Sequence, residues 1–221
     1  MKIDVLSLFP GMFSGVFEES IIKRAISEGK VSINIHNFRD FSLDPHNKVD
    51  DTPYGGGAGM VLTCQPIFNC VKSLRTEESI VILLTPDGEV YKQEKAYSLS
   101  KSKHLIMICG HYEGFDERSR SRCDLDLSIG DYVLTGGELA SMVLVDSIVR
   151  LMPGVIEEES HVNDSFNNNL LDYPTYTKPR VYEGMEVPEV LVSGDHKKIA
   201  EYRYEMSLRR TKERRPDLLD K

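Results

Sequence analysis

Apolar residues recur along this chain with two periods, one fitting strands and one fitting helices. Ile3 to Phe9 is an apolar run closed by Pro10-Gly11, which predicts a strand. Val16, Phe17, Ile21, Ile22, Ala25 and Ile26 then recur at helical spacing as far as Gly29, and Val31, Ile33 and Ile35 alternate with polar residues as a second strand. This β-α-β opening predicts an α/β sheet with a crossover. Thr63 as N-cap with Pro66 in the first turn predicts a helix to Leu74. Ser79 to Leu84 reads as a buried strand ending in Thr85-Pro86-Asp87-Gly88, Gln93 to Ser100 as a short helix, and Leu105 to Cys109 as a further strand. Met142, Val143, Val145, Ile148, Val149 and Leu151 form a helix apolar over a broad arc, facing either a partner subunit or a two-sided core, with Arg150 at its end.

The periodicity fails in two places. From Asn37 to Met60 aspartates, prolines and glycines take over, and a loop of that length in a compact domain is functional or disordered. Glu157 to Asn169 (EEESHVNDSFNNN) is polar without a period and reads as a linker. The expected organisation is a domain over 1–156, a flexible linker over 157–172 and a small C-terminal domain over 173–221. In the last, Val181 to Val192 is a hairpin or irregular, and Asp195 caps a helix from about His196 to Lys212.

Composition adds constraints. The 221 residues carry a formal charge of −8, which excludes a uniformly basic nucleic-acid binder but not a local basic patch. Such a patch lies in 196–215, where eight Lys or Arg face three Glu beside Tyr202 and Tyr204; the plain alternative is a solvated helix face. The four cysteines form no C-x-x-C pair and the histidines show no metal-ligand cadence, so no metal ligand is assigned and all four thiols are expected reduced. The opening Lys2-Ile3-Asp4-Val5-Leu6 is too short and too charged for a signal peptide, and no stretch reaches membrane-span length. A cytoplasmic protein with no membrane association is expected.

Candidate chemistry concentrates between Leu105 and Leu139. Gly110-His111-Tyr112-Glu113-Gly114, Ile129-Gly130-Asp131-Tyr132 and Thr135-Gly136-Gly137-Glu138 are three glycine-bearing turns at strand ends, where main-chain N–H and C=O groups can line a pocket. Taken singly each is ordinary turn chemistry; together they suggest one site. A second glycine cluster, Gly55, Gly56, Gly57 and Gly59 beside Asp50 and Asp51, lacks the Gly-Lys-Ser/Thr ending of a P-loop and the dinucleotide spacing. What remains is an accessible backbone able to contact a base edge or ribose.

These motifs, read in order with Ser7-Leu8-Phe9-Pro10, Asn37-Phe38-Arg39-Asp40, Cys109 to Arg118 (CGHYEGFDER), Ser128 to Leu139 (SIGDYVLTGGEL), Arg150 to Val155, Asp164-Ser165-Phe166, Pro188 to Gly194 and Arg214-Arg215-Pro216, carry a resemblance over essentially the whole chain. The sequence resembles the bacterial tRNA (guanine-N1)-methyltransferases of the TrmD family, within the SPOUT class. It departs from the family pattern at Ala140 (usually Pro), Lys178 (usually Arg) and Asp195 (usually Asn).

The resemblance implies a SPOUT-type, largely parallel sheet with a deep trefoil knot, a feature no periodicity argument yields, followed by a small, mostly helical C-terminal domain. It implies a homodimer acting on tRNA with guanosine at position 37, with S-adenosyl-L-methionine as methyl donor. Carried over, Asp164 is the general base and Arg150 the cation at guanine O6. Leu84, Pro86, Gly110, Tyr112, Glu113, Ile129, Gly130, Tyr132, Leu134, Gly136 and Gly137 hold the donor. Asp50, Gly55, Gly56, Gly57, Gly59 and Ser165 meet the substrate. Mg²⁺ is associated with the family's reaction, but the chain shows no cage for it. Two other readings stay open: a SPOUT enzyme acting on ribose or ribosomal RNA, and a non-catalytic RNA-binding protein, which S-adenosylmethionine would not stabilise.

Overall fold

Ile3, Val5 and Leu6 are completely buried, and so is every residue of the run Leu105 to Ile108, because both segments lie inside a parallel sheet covered on its two faces. The computed structural model describes residues 1–157 and 164–220. The strands are β1 (Lys2–Ser7), β2 (Ser32–Asn37), β3 (Asp50–Asp51), β4 (Val61–Leu62), β5 (Ser79–Val90), β6 (His104–Cys109), β7 (Leu125–Ser128), β8 (Val181–Tyr182) and β9 (Met185–Glu186). The helices are α1 (Ser20–Ser27), α2 (Cys64–Leu74), α3 (Gln93–Leu99), α4 (Glu138–Val149) and α5 (His196–Arg214), with short 3-10 turns between them. The chain divides into two compact units, Met1–Ile156 and Glu157–Lys221.

In the first unit the strand order is β2-β1-β6-β5-β7, every pair parallel. Alternation within the strands sends Ile3, Val5, Leu105 and Met107 to one face, where α1 and α4 supply Ile22, Ala25, Leu144, Val145 and Ile148. Leu6, Val81, Leu83, Ile106 and Ile108 go to the other, against Ile67, Cys70 and Val71 of α2. The buried part of α4's broad apolar arc packs on one face of the sheet. Leu139 and Val143, four residues apart on the arc, stay half-exposed.

Several elements differ from the periodicity. α1 begins at Ser20 rather than Val16, because Gly15 and Ser20 take positive φ and hold the intervening residues in turns, although Phe17 still reaches the core. Thr63 does occupy the N-cap of α2, but its side chain caps nothing; its hydroxyl and its N–H both donate to the Val49 carbonyl. The 37–60 loop is not wholly irregular, since Phe38–Phe41 form a 3-10 turn and Asp50–Asp51 pair antiparallel with Val61–Leu62.

The largest difference is β5. It does not end at Thr85 but leaves its ladder and returns: Leu84 and Glu89 both pair with Leu127 of β7, so Thr85, Pro86, Asp87 and Gly88 form an excursion between them. Gly88 is required where the chain returns, because a Cβ there would lie 2.5 Å from the Leu127 nitrogen and 2.6 Å from the Asp126 carbonyl carbon.

In the second unit the long helix α5 is capped by Asp195, whose carboxylate accepts the Lys198 N–H at 3.2 Å. Its buried Thr211 hydroxyl accepts the Leu171 N–H at 2.8 Å, Arg210 donates to the Asp172 carbonyl at 3.0 Å, and Arg203 lies 4.8 Å over the Tyr173 ring. β8 and β9 form a small hairpin. Of the expected linker, residues 158–163 lie outside the described residues; 164–170 run through turns, with the Phe166 N–H donating to the Leu170 carbonyl at 2.8 Å.

Candidate active site

The excursion within β5 and the C-terminal ends of β6 and β7 open onto a cavity of ≈ 410 Å³, the edge of the sheet at which open α/β folds bind ligands. Leu84 and Pro86 line it from β5 and its excursion, and Gly110, Tyr112 and Glu113 from the turn after β6. Ile129, Gly130, Tyr132, Leu134, Gly136 and Gly137 line it from the segment between β7 and α4. Three turns separated in sequence therefore share one wall.

They are joined by the main chain. The Gly137 N–H donates to the Gly110 carbonyl at 2.8 Å, and His111 pairs with Gly136 as an isolated antiparallel bridge. Gly137 packs so closely that a Cβ would lie 2.8 Å from both Cys109 Cα and the Gly110 nitrogen. A side chain at Gly137 thus collides with the neighbouring backbone before it reaches the cavity, so this glycine serves turn-on-turn packing first. Beneath it, Glu138 is 1% exposed and accepts the Ser7 hydroxyl at 2.6 Å. The His111 ring packs against Phe9 at 4.7 Å between centroids, tilted by 53°, and its Nδ1 is buried without a hydrogen-bond partner.

The rim is acidic around one cation. Arg120, in the 3-10 turn Glu117–Arg122, donates to Asp87 at 2.6 Å, to Glu117 at 3.1 Å and to Asp126. The Thr85 hydroxyl also donates to Asp87, and with Arg120 it holds that carboxyl below its ordinary range. The glycine loop is tied to the same wall: the Glu113 N–H donates to the Met60 carbonyl at 3.0 Å, the Leu62 N–H to Gly114 at 2.9 Å and the Asp116 N–H to Leu62 at 2.8 Å.

The model of a family described as tRNA (guanine-1)-methyltransferase TrmD matches residues 1–221. The chain belongs to this family. A protein of Shouchella clausii (strain KSM-K16) named tRNA (guanine-N(1)-)-methyltransferase is 58% identical over 223 residues, 99% of this chain and 91% of that one. Proteins of the same name from Bacillus cereus strains B4264 and G9842 are each 57% identical over 225 residues, 100% of this chain and 92% of theirs.

The residues that the TrmD resemblance assigns to chemistry do not all share the cavity. All eleven assigned to the donor line it. Asp50 lies in β3 opposite Leu62, and Gly55, Gly56, Gly57 and Gly59 all take positive φ in an exposed loop whose last glycine abuts the Glu113 side chain. Arg150 forms the C-cap of α4 and is not among the lining residues. Asp164 and Ser165 belong to the second unit, where Asp164 accepts the Asn167 N–H on its carbonyl at 3.3 Å and Ser165 accepts the Asp172 N–H on its hydroxyl at 3.0 Å.

Sequence reading placed His111 and Asp87 in turns at strand ends without giving either a role, and it missed the lining residues Phe115, Glu117 and Arg120. His111 and Phe115 sat inside the quoted CGHYEGFDER motif; Arg120 had no signal beyond a run of alternating Ser and Arg. Ala140, one of the departures from the TrmD pattern, lines the cavity from the first turn of α4. Among the described residues no helix is long and apolar enough to cross a membrane.

Proposed function

We propose that this chain transfers a methyl group from S-adenosyl-L-methionine to N1 of guanosine at position 37 of tRNA, giving 1-methylguanosine beside the anticodon. The observation that carries this reading is the convergence of the β5, β6 and β7 turns on one cavity, in a chain whose full-length relatives bear the name tRNA (guanine-N(1)-)-methyltransferase. The cavity has the size of a small-molecule site, with Leu84, Pro86 and Leu134 as apolar surface for a purine and Glu113, Asp87 and Glu117 as carboxylates that favour a cationic ligand.

Bound there, S-adenosylmethionine supplies an electrophilic methyl on a sulfonium. The guanine N1 carries a proton that must leave as the new N–C bond forms, and Asp164 accepts it. As that proton leaves, negative charge grows on O6, where Arg150 donates hydrogen bonds that favour the transition state over the ground state; the methyl's bond to sulfur breaks as its bond to N1 forms, and S-adenosylhomocysteine departs. Asp50 and the backbone of Gly55, Gly56, Gly57 and Gly59 hold the target guanosine or its neighbour, with Ser165 at the base. The second unit grips tRNA through the basic surface of α5.

A homodimer and a trefoil knot around the donor belong to the same reading. The half-exposed pair Leu139 and Val143 on α4, and Val133 on the cavity segment at 85% exposure, support an apolar contact there. For Mg²⁺ the described residues offer no ready-made cage. Asp87, Glu117 and Asp126 are each engaged by Arg120, and no group of three or more potential ligands that could hold a metal occurs among the described residues. No step is routed through a metal.

The test uses tRNA transcripts with and without guanosine at positions 36 and 37, followed by mapping of the modified base. Methylation at N1 of guanosine 37 alone is expected. A methyl on a ribose, or on ribosomal RNA in preference to tRNA, would replace this reading with that of another SPOUT enzyme. Absence of thermal stabilisation by S-adenosylmethionine would favour a non-catalytic RNA-binding module.

A further inference from the structure

The four residues of the β5 excursion lie outside the β5–β7 ladder, so other contacts must fix the wall they form. The Thr85 hydroxyl braces Asp87 from within the excursion, and Gly88 presses on the Asp126–Leu127 backbone. Arg120 comes from outside it. Its guanidinium reaches Asp87 on the excursion, Asp126 on β7 and Glu117 in its own turn, so one planar fork joins three segments of the cavity rim. The side chain is only 28% exposed.

We propose that Arg120 is a positioning residue that sets the separation between the excursion and β7, and through it the affinity for the methyl donor, without touching the methyl group or the base. The inference rests on the reading of the cavity as the donor site. A guanidinium repels a cationic ligand, so direct Coulomb action by Arg120 would weaken donor binding. Any favourable contribution must therefore come from holding the wall. Without it, Asp87 and Asp126 lose the cation they share, and their like charges drive the excursion away from β7. Lysine keeps the charge but cannot span three carboxylates with a fixed fork.

The experiment compares Arg120→Ala, Arg120→Lys and Asp87→Asn with the parent in the full chain. Calorimetry measures binding of S-adenosylmethionine, which is cationic, and S-adenosylhomocysteine, which is neutral. Arg120→Ala is expected to weaken both ligands in parallel by about tenfold, with Arg120→Lys intermediate. Asp87→Asn is expected to reproduce most of the loss, and the double variant to lose less than the sum of the two. In turnover, KM for the donor should rise while kcat at saturation holds.

Tighter S-adenosylmethionine with unchanged S-adenosylhomocysteine would mean that Arg120 acts by charge alone and would overturn the proposal. Unchanged affinity for both, with a lowered melting temperature, would make it a plain structural tie and overturn it equally. If Arg120→Ala does not fold, Arg120→Lys and Asp87→Asn decide the question by the same parallel-loss criterion. A parent protein that binds neither ligand would instead remove the donor-site reading, and the proposal with it.

Discussion

Ser7 and Glu138 are hydrogen-bonded at 2.6 Å, both buried, across 131 positions of sequence. The bond fastens the end of β1 to the first turn of α4, directly below the glycines of the cavity wall. The same Ser7 oxygen accepts the Phe9 N–H at 2.9 Å. Ser7→Ala removes both bonds and leaves one oxygen of a buried carboxylate without its donor, so unfolding free energy should fall by about 1–3 kcal/mol in urea titration. An unshifted midpoint would show that Glu138 gains nothing from this contact.

Gly137→Ala places its Cβ against backbone atoms that cannot rotate away, at 2.8 Å from Cys109 Cα and the Gly110 nitrogen. It should lower the melting temperature and donor affinity together, as the turns after β6 and before α4 are forced apart. Gly11 has nothing within 4 Å of its Cβ position and no positive φ, so Gly11→Ala should stay within about 0.5 kcal/mol of the parent. Retained donor affinity in Gly137→Ala would refute the packing account.

Asp4 is fully buried in the sheet. Burial pushes its carboxyl up, but hydrogen bonds from Lys2, His36, His104 and Asn34 outweigh that and bring it from 3.8 to about 2. Because the folded value lies below the unfolded one, this stability is present above about pH 4 and is lost as pH falls through 2; it amounts to about 2 kcal/mol. Asp4→Asn should therefore be less stable than the parent at pH 5, and the gap should shrink towards pH 2. A gap that does not change with pH would exclude the carboxylate as its source. Ser79 stands 2.7 Å from His104, which stands 2.7 Å from Asp4. All three are buried, and none lines the cavity, so they link β5, β6 and β1 rather than acting as a nucleophilic relay.

Asp164→Ala should keep donor binding, measured by calorimetry, and lower the methylation rate by about 10²–10⁴-fold. Arg150→Ala should cost about 10²–10³ in kcat, with Arg150→Lys between the two. Turnover near the parent's in Asp164→Ala would dismiss that residue as the base.

Legibility in the sequence followed the range of the forces involved. α5 and its cap at Asp195 were readable because a cap and its helix are neighbours in the chain. β1 and β6 were readable because burial on both faces leaves a largely apolar run, broken in β1 by Asp4. The order β2-β1-β6-β5-β7 was not, since it depends on pairings between distant segments. The continuation of β5 past Pro86 was hidden because proline and glycine ordinarily punctuate strands, and only Leu127, pairing with both Leu84 and Glu89, shows the ladder resuming. Of the site, the glycine turns announced themselves by composition. Arg120 did not, because its partners Asp87 and Asp126 become neighbours only once the sheet has formed.

Because Leu84 and Glu89 share one partner, the residues between them are free of the ladder's register. Of the four, Gly88 is fixed by its contact with the β7 backbone and Asp87 by Arg120, whereas Pro86 is bound by neither, so a change there leaves β5 and β7 aligned. The sheet thus tolerates variation in the cavity wall itself, so the pocket can be reshaped over evolutionary time by edits around Pro86 that keep Gly88 and leave the strands' alignment intact.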